Sequence, residues 1–490
     1  MDPPRAQFRP LSAVDRVIDR ERHLLVLFPA GPQLPRHIPA ADSLAAAAKR
    51  RQVAPADLSG TPVSVEMASG TRVAFAALDE AMPVFDRLTT LRKAAAPLLA
   101  ENPETVAVWA APGLSAETLR QAHYVLAANG MPLPTRRREA PRALRTIRIH
   151  ADESDPGREA VEALVRGNYL CRELTSLPAN ALTPGAYRRR IRDLARAMGW
   201  KHEEFGLRRL KRMGAGAFCA VAQGSPEADA AIVRVSYEPR RARQRIALVG
   251  KGICHDSGGH NLKPARYMAG MHEDMNGSAV ALGLLLAVTK ARLPVAVDCW
   301  LAIARNDISP AGFRQNDVIT ALDGTSIEIV HTDAEGRLVL ADALALACRG
   351  GGRGRRPDLV IDFATLTGSM HAALGTRYSG VFASTDELAG EAVSAGIASG
   401  ERVCVFPMDA DYEAALESKV ADNKQCAMEG DADHILAACF LRRFVGKTPW
   451  LHMDLSASRC PGGLGAIAGD LTGFGVGWGL AFIASRGGRR

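Results

Sequence analysis

Arg245-Ile246-Ala247-Leu248-Val249-Gly250-Lys251-Gly252 reads as an apolar strand that ends in a Gly-Lys-Gly turn. A helical stretch at Asn276 to Lys290 follows, then a long strand at Pro294 to Ile303. A helix at Leu338 to Cys348 and a strand at Pro357 to Phe363, ending near Thr365, continue the alternation. Strands and helices in turn predict a mixed sheet flanked by helices. In such α/β sheets, ligands gather at the carboxyl ends of the strands. Two clusters of polar residues fall there: Asp256-Ser257-Gly258-Gly259 with Lys263 and Asp274, and Thr332-Asp333-Ala334-Glu335-Gly336-Arg337-Leu338.

The clusters offer four carboxylates, two lysines and one arginine. Four carboxylates in one place repel one another unless cations lie between them. Two divalent metals would relieve the repulsion, and a pair about 3.5–4 Å apart suits a hydrolase that clamps a bridging water. Asp and Glu are hard oxygen donors for zinc, manganese or magnesium. A lysine becomes a ligand only after losing its proton, which a nearby dication favours. A lysine that stays protonated polarises a carbonyl and stabilises the oxyanion. Arginine stays charged and holds a small anion in bidentate fashion. Taken singly, Asp-x-Glu is a solvated turn, Gly-Lys-Gly a plain turn or phosphate loop, and Lys263-Pro264 an exposed loop. These readings fail together because all would have to hold at one spacing.

That spacing resembles the two signatures of the leucyl aminopeptidase family, also called cytosol aminopeptidases. Gly250-Lys251-Gly252, Asp256-Ser257-Gly258-Gly259, Lys263 and the methionine-rich stretch Met268, Met271, Met275 around Asp274 keep the first signature. His331-Thr332-Asp333-Ala334-Glu335-Gly336-Arg337-Leu338 matches the second, with His331 in place of asparagine. Leu177 to Pro184, Ala364 to Gly368, Phe440-Leu441 and Pro449 to Asp454 extend the likeness, which runs from about Arg172 to the C-terminus.

The resemblance implies roles. Asp256 and Glu335 would bridge two divalent ions, Mn²⁺ or Zn²⁺. Lys251 and Asp274 would complete the tighter site, and Asp333 the more exchangeable one. Lys263 would polarise the scissile carbonyl, and Arg337 would hold a bicarbonate acting as general base. Met271, Thr365, Gly368, Ser456 and Arg459 would line the pocket for the first side chain of a peptide substrate. The reaction implied is release of N-terminal amino acids by attack of a metal-bridging water. A cytoplasmic homohexamer is implied as well. Two other classes compete: a catalytically weak, DNA-binding family member, which a lost ligand would favour, and a dinuclear phosphoesterase, which a lysine ligand speaks against.

The chain also departs from the family. His255 stands beside Asp256 where an aromatic is usual; His255 and His331 read as hydrogen-bonded supports rather than ligands. Leu455 to Pro461 replaces an apolar stretch, and Arg459 there is expected to favour acidic or polar first residues over leucine. Cys426 to Ile435 departs from a glycine/alanine-rich pattern, with Glu429, Asp431, Asp433 and His434.

The remaining sequence sets the frame. At 490 residues the chain is long enough for two or three domains, and 47% apolar content supplies a large core. We expect an N-terminal α/β domain at 1–150, a linking helix at 151–175 and the catalytic domain at 176–490. In the first part, strands are expected at His23 to Phe28, Thr71 to Phe75, Thr105 to Trp109 and Thr146 to His150. Helices are expected at Ser43 to Arg51 and Ser115 to Asn129, with Ser115 as an N-cap. The formal charge of +8 comes largely from arginine runs such as Arg136 to Arg138, Arg188 to Arg190 and Arg353 to Arg356. None is interleaved with aromatics, so they read as solvated surface rather than a nucleic-acid stripe. Nine cysteines without a C-x-x-C pair suit reduced thiols in a cytosol. No stretch reads as a membrane span or signal peptide.

Overall fold

The computed structural model describes residues 2–11, 17–18, 20–151, 157–226, 229–350 and 355–487. Part of the Gly350 to Arg356 loop and the terminal arginine pair lie outside them. The chain forms two compact units. The first holds Met1–Tyr169, Ile397–Glu401 and Cys460–Thr472; the second holds Leu170–Gly396, Arg402–Arg459 and Gly473–Arg490. The division falls inside the helix Arg158–Thr175.

In the first unit, six strands pair in the order β1-β6-β5-β2-β4-β3. They are β1 (Arg5–Arg9), β2 (His23–Pro29), β3 (Val63–Glu66), β4 (Arg72–Leu78), β5 (Thr105–Ala110) and β6 (Thr146–His150). Only the β3–β4 pair is antiparallel. Leu25 and Leu27 of β2 enter one hydrophobic cluster and Leu24, Val26 and Phe28 the other. Burial of both faces explains why this strand is a continuous apolar run. Ser115 caps Ala116–Asn129 as expected, its Oγ accepting from the Thr118 amide at 3.2 Å.

The second unit is built on an eight-stranded mixed sheet, in the order β15-β14-β17-β13-β9-β10-β8-β7. The strands of this unit are β7 (Lys201–Gly206), β8 (Ala231–Tyr237), β9 (Gln244–Asp256), β10 (Val295–Asn306), β11 (Val318–Thr320), β12 (Ser326–Glu328), β13 (Leu359–Ala364), β14 (Ser379–Ala383), β15 (Val403–Val405), β16 (Asn423–Lys424) and β17 (Trp450–Asp454). The central four, β17, β13, β9 and β10, are parallel. Their carboxyl ends therefore lie together and carry Asp454, Thr365, Asp256 and Asn306. β11, β12 and β16 form a separate small sheet.

One expectation is corrected here. Gly250-Lys251-Gly252 is not a turn; β9 runs through it to Asp256. The glycines serve packing instead. A Cβ on Gly250 would lie 2.4 Å from the Cα of Ser278, so only glycine lets the helix Asn276–Lys290 approach the sheet. Lys251 points to the opposite face, where Glu335–Cys348 packs with Val249 and Ile253. Both helices are buried along most of their length, which explains their all-round apolar sequence.

The register of β9 adds a second detail. Ile253 pairs with Ala304, but Asp256 pairs with Asn306. Three steps on β9 against two on β10 make a β-bulge, which reverses the alternation and turns Asp256 to the face of Lys251.

Candidate active site

Lys251 Nζ lies 2.8 Å from Asp274 Oδ1 and 2.9 Å from Glu335 Oε1, and it donates to the Thr365 carbonyl at 3.0 Å. Lys263 Nζ lies 2.9 Å from Asp256 Oδ2 and 2.5 Å from Asp333 Oδ1. The structure thus brings together all four carboxylates and both lysines singled out in the sequence. Ligand atoms of Asp256, Asp333 and Glu335 lie within 4.8 Å of one another.

Each side chain has a local reason for its place. Asp256 ends the bulged strand, and its Oδ1 accepts from the Gly258 amide and the Asn306 amide group, both at 2.9 Å. Asp274 follows the short turn Met271–Glu273 and precedes the helix Asn276–Lys290; Thr365 Oγ1 donates to its Oδ1 at 2.8 Å. Glu335 opens the helix Glu335–Cys348, so it and Arg337 lie in the first helical turn rather than in a preceding loop. A carboxylate there is favoured by the helix dipole. Thr332 ties the second cluster to the first: its Oγ1 donates to the Gly258 carbonyl at 2.6 Å and its amide donates to Asn261 Oδ1 at 2.9 Å.

Electrostatics mark the cluster as short of positive charge. Four carboxylates share two ammonium groups. Burial raises the pKa of Asp274, Glu335 and Asp333, and neighbouring carboxylates add to the rise beyond what the lysines offset. Burial disfavours the charged forms of Lys251 and Lys263, yet the surrounding carboxylates outweigh it and raise both. Asp274 Oδ2 and Glu335 Oε2 are buried without a hydrogen-bond partner. Buried, unpartnered carboxylate oxygens are costly unless a cation meets them. The donor set, hard oxygens with one lysine nitrogen, therefore fits divalent metal ions.

Arg337 is buried, and its guanidinium is engaged from within the chain. Nη2 donates to Asp433 Oδ1 at 2.7 Å and Oδ2 at 2.8 Å, and Nη1 donates to the Gln425 carbonyl at 3.1 Å. His331 Nδ1 accepts from the Asp333 amide at 3.2 Å, a supporting contact. Burial and nearby Lys263 depress its pKa.

Of the expected pocket residues, Thr365 touches both Lys251 and Asp274. Met271 opens the turn that ends at Asp274. Gly368 begins the helix Gly368–Leu374, with open space where a side chain would project. Ser456 Oγ donates to the Tyr378 carbonyl at 2.6 Å. Arg459 is half-exposed and held by Glu273, with Nε donating to Oε2 at 2.9 Å.

Three supporting residues had no role in the sequence reading. Asn306 holds both Asp256 and the Thr332 carbonyl. Gln425 follows β16, whose pairing with β12 brings it to the second cluster, where it accepts from the His331 amide and donates to the Ala334 carbonyl. Asp454 accepts from the Leu366 amide and the Thr367 hydroxyl, fixing the loop after Thr365. A polar residue closing an apolar strand was the available signal for Asn306 and Asp454.

The pattern described as the cytosol aminopeptidase family, catalytic domain, matches residues 169–478. The chain belongs to that family. Among relatives of the cytosol aminopeptidase family, a probable cytosol aminopeptidase of Legionella pneumophila (strain Corby) is 38% identical over 301 residues, 61% of each chain. The match thus spans less than two thirds of that relative. A counterpart in Roseiflexus castenholzii is 38% identical over 365 residues, 74% of this chain and 72% of the relative. Among solved structures, the bottromycin maturation enzyme BotP in complex with Mn aligns with a TM-score of 0.83 at 30% identity, covering 95% of this chain and 99% of that one. A mutant of tomato leucine aminopeptidase aligns at 0.86 and 27% identity, covering 99% and 97%.

Proposed function

We propose that this chain is a metal-dependent aminopeptidase that releases N-terminal amino acids from peptides. One observation carries the reading: four carboxylates and two lysines meet at the carboxyl ends of the parallel strands of a cytosol aminopeptidase family domain. Lys251, Asp256, Asp274, Asp333 and Glu335 would hold two divalent ions. When bound, such ions supply Lewis-acid polarisation and lower the pKa of water. Manganese is the first candidate, since the similar BotP is described in complex with Mn; zinc is the other.

The chain's own groups do the rest. Lys263 is held by Asp256 and Asp333 with its ammonium in the cluster. It faces the developing oxyanion and lowers its energy through a charge fixed before the reaction begins. Thr365 orients Asp274 and Lys251 together, and Asp454 keeps the Thr365 loop in place. Met271, Gly368, Ser456 and Arg459 border the space for the first side chain. We further propose a homohexameric, cytoplasmic enzyme; no helix among the described residues is long and apolar enough to cross a membrane.

Metal analysis of protein dialysed and reloaded with Mn²⁺ tests the reading. Two ions per chain are expected, with peptide release that Asp256→Ala abolishes. A stoichiometry of zero, with Asp256→Ala as active as wild type, contradicts it.

A further inference from the structure

The carboxylate–lysine cluster has a sealed half and an open half. The side chains of Lys251, Asp274 and Glu335 are 4%, 6% and 1% exposed, whereas that of Asp333 is 25% exposed. Asp256 ends a strand and Glu335 opens a helix, but Asp333 lies in the irregular segment between β12 and the helix Glu335–Cys348. A carboxylate on a loose, open segment must be ordered each time an ion binds, which weakens the site unless other groups hold it beforehand.

That hold comes from a distant part of the chain. Gln425 is fully buried. Its Oε1 accepts from the Val330 and His331 amides, both at 3.1 Å, and its Nε2 donates to the Ala334 carbonyl at 2.9 Å. These contacts bracket Asp333 from both sides. The main chain aims the side chain: the Gln425 amide donates to the Glu328 carbonyl at 3.0 Å, continuing the β12–β16 pairing, and its carbonyl accepts from Arg337 Nη1 at 3.1 Å. Between the bracketing contacts, Asn306 Nδ2 donates to the Thr332 carbonyl at 3.0 Å. The task at Gln425 needs an acceptor for two N–H groups and a donor for a carbonyl on one group. A side-chain amide supplies both and a carboxylate does not.

We propose that Gln425 is a positioning residue that holds Asp333 ready for the second of two divalent ions. The inference rests on the metal-dependent aminopeptidase reading. Gln425 touches no ligand atom; it acts by fixing the backbone before and after Asp333. The sealed half, with Lys251, Asp274 and Glu335, has its own supports in Thr365 and the helix starts. Loss of the Gln425 amide should therefore weaken one ion and spare the other.

The test titrates metal-free protein with Mn²⁺ by calorimetry, comparing wild type with Gln425→Met. Methionine fills a similar space without the amide, and the main-chain bonds to Glu328 and Arg337 remain. Wild type should take up two ions. In the variant the first ion should bind within about twofold of wild type and the second about 10- to 100-fold more weakly, the range for loss of a group that orients a metal ligand. Activity should follow the same split: the variant needs correspondingly more Mn²⁺ for half-maximal turnover, yet approaches wild-type kcat once saturated. A merely structural role would weaken both ions alike or neither. Equal losses for both ions, or an unchanged second affinity in a folded variant, would therefore overturn the proposal. Thermal melting checks folding. If the methionine variant unfolds, Gln425→Asn, which keeps the amide but withdraws it by one methylene, replaces it, with the same split expected. If wild type binds two ions and cleaves no peptide, the aminopeptidase reading fails, while calorimetry still decides the role of Gln425. A wild type that binds fewer than two ions overturns the two-ion site and the proposal with it.

Discussion

Gly336 and Lys251 approach so closely that a Cβ on Gly336 would lie 2.7 Å from Cε and 2.8 Å from Nζ of Lys251. The glycine of the second sequence cluster thus makes room for the lysine of the first. Gly336→Ala should push Lys251 away from Asp274 and Glu335. We expect destabilisation of about 1–3 kcal/mol, as for overpacking in a dense core, and weakened Mn²⁺ binding. Chemical denaturation and metal titration check both; an unchanged metal affinity would show that Lys251 has slack.

Lys263 bridges Asp256 and Asp333, and its proposed role is a fixed positive charge at the oxyanion. Lys263→Ala should lower turnover at least about 100-fold, as for loss of an oxyanion donor, with little change in metal content. Steady-state kinetics with parallel metal analysis separates the two effects. Near-normal turnover would remove Lys263 from the reaction.

Much of this site was legible because its residues are local in sequence and chemically unusual. Lys251, Asp256, Lys263 and Asp274 lie within one strand–loop–turn segment, and Asp333, Glu335 and Arg337 within one helix start. The Gly-Lys-Gly segment misled because glycine signals a turn in isolation, whereas here the helix Asn276–Lys290 needs the missing Cβ. Asn306, Gln425 and Asp454 escaped notice because their roles depend on pairings distant in sequence, such as β16 with β12. The same limit applies to Cys460–Thr472, which joins the first compact unit. The helix Val84–Leu99, with Pro97 near its end, carried conflicting local signals.

Arg459 was expected near the pocket for the first side chain, and Glu273 holds its guanidinium. Its charge is therefore matched until Glu273 is neutralised. Glu273→Gln should raise kcat/KM for Asp and Glu first residues relative to Leu. Arg459 is half-exposed and its charge is screened, so the shift should be about two- to fivefold. Specificity constants for Leu, Asp and Glu substrates check it, and an unchanged ranking would turn Arg459 away from the pocket.

A pH effect on stability follows from His452 and Asp362, both fully buried, with Nδ1 2.6 Å from Oδ1. Burial disfavours the imidazolium, but the Asp362 carboxylate outweighs it and raises the His452 pKa. A raised folded-state pKa stabilises the fold fully below the unfolded value of about 6.5 and loses that contribution as pH rises through the folded value. The melting-temperature difference between wild type and His452→Gln should therefore be largest in mild acid and shrink in alkali. A difference that grows with pH would contradict the assignment.

As an exopeptidase site, the clustered carboxylates and lysines would require a free N-terminal amine on the substrate. A neutral amine is a good metal ligand and an acetamide nitrogen is a poor one. The most direct measurement is mass spectrometry of one peptide, with its amine free or acetylated, incubated with the Mn²⁺-loaded protein. Stepwise loss of single residues from the free peptide is expected, with the acetylated one left intact. Comparable cleavage of both peptides would contradict it.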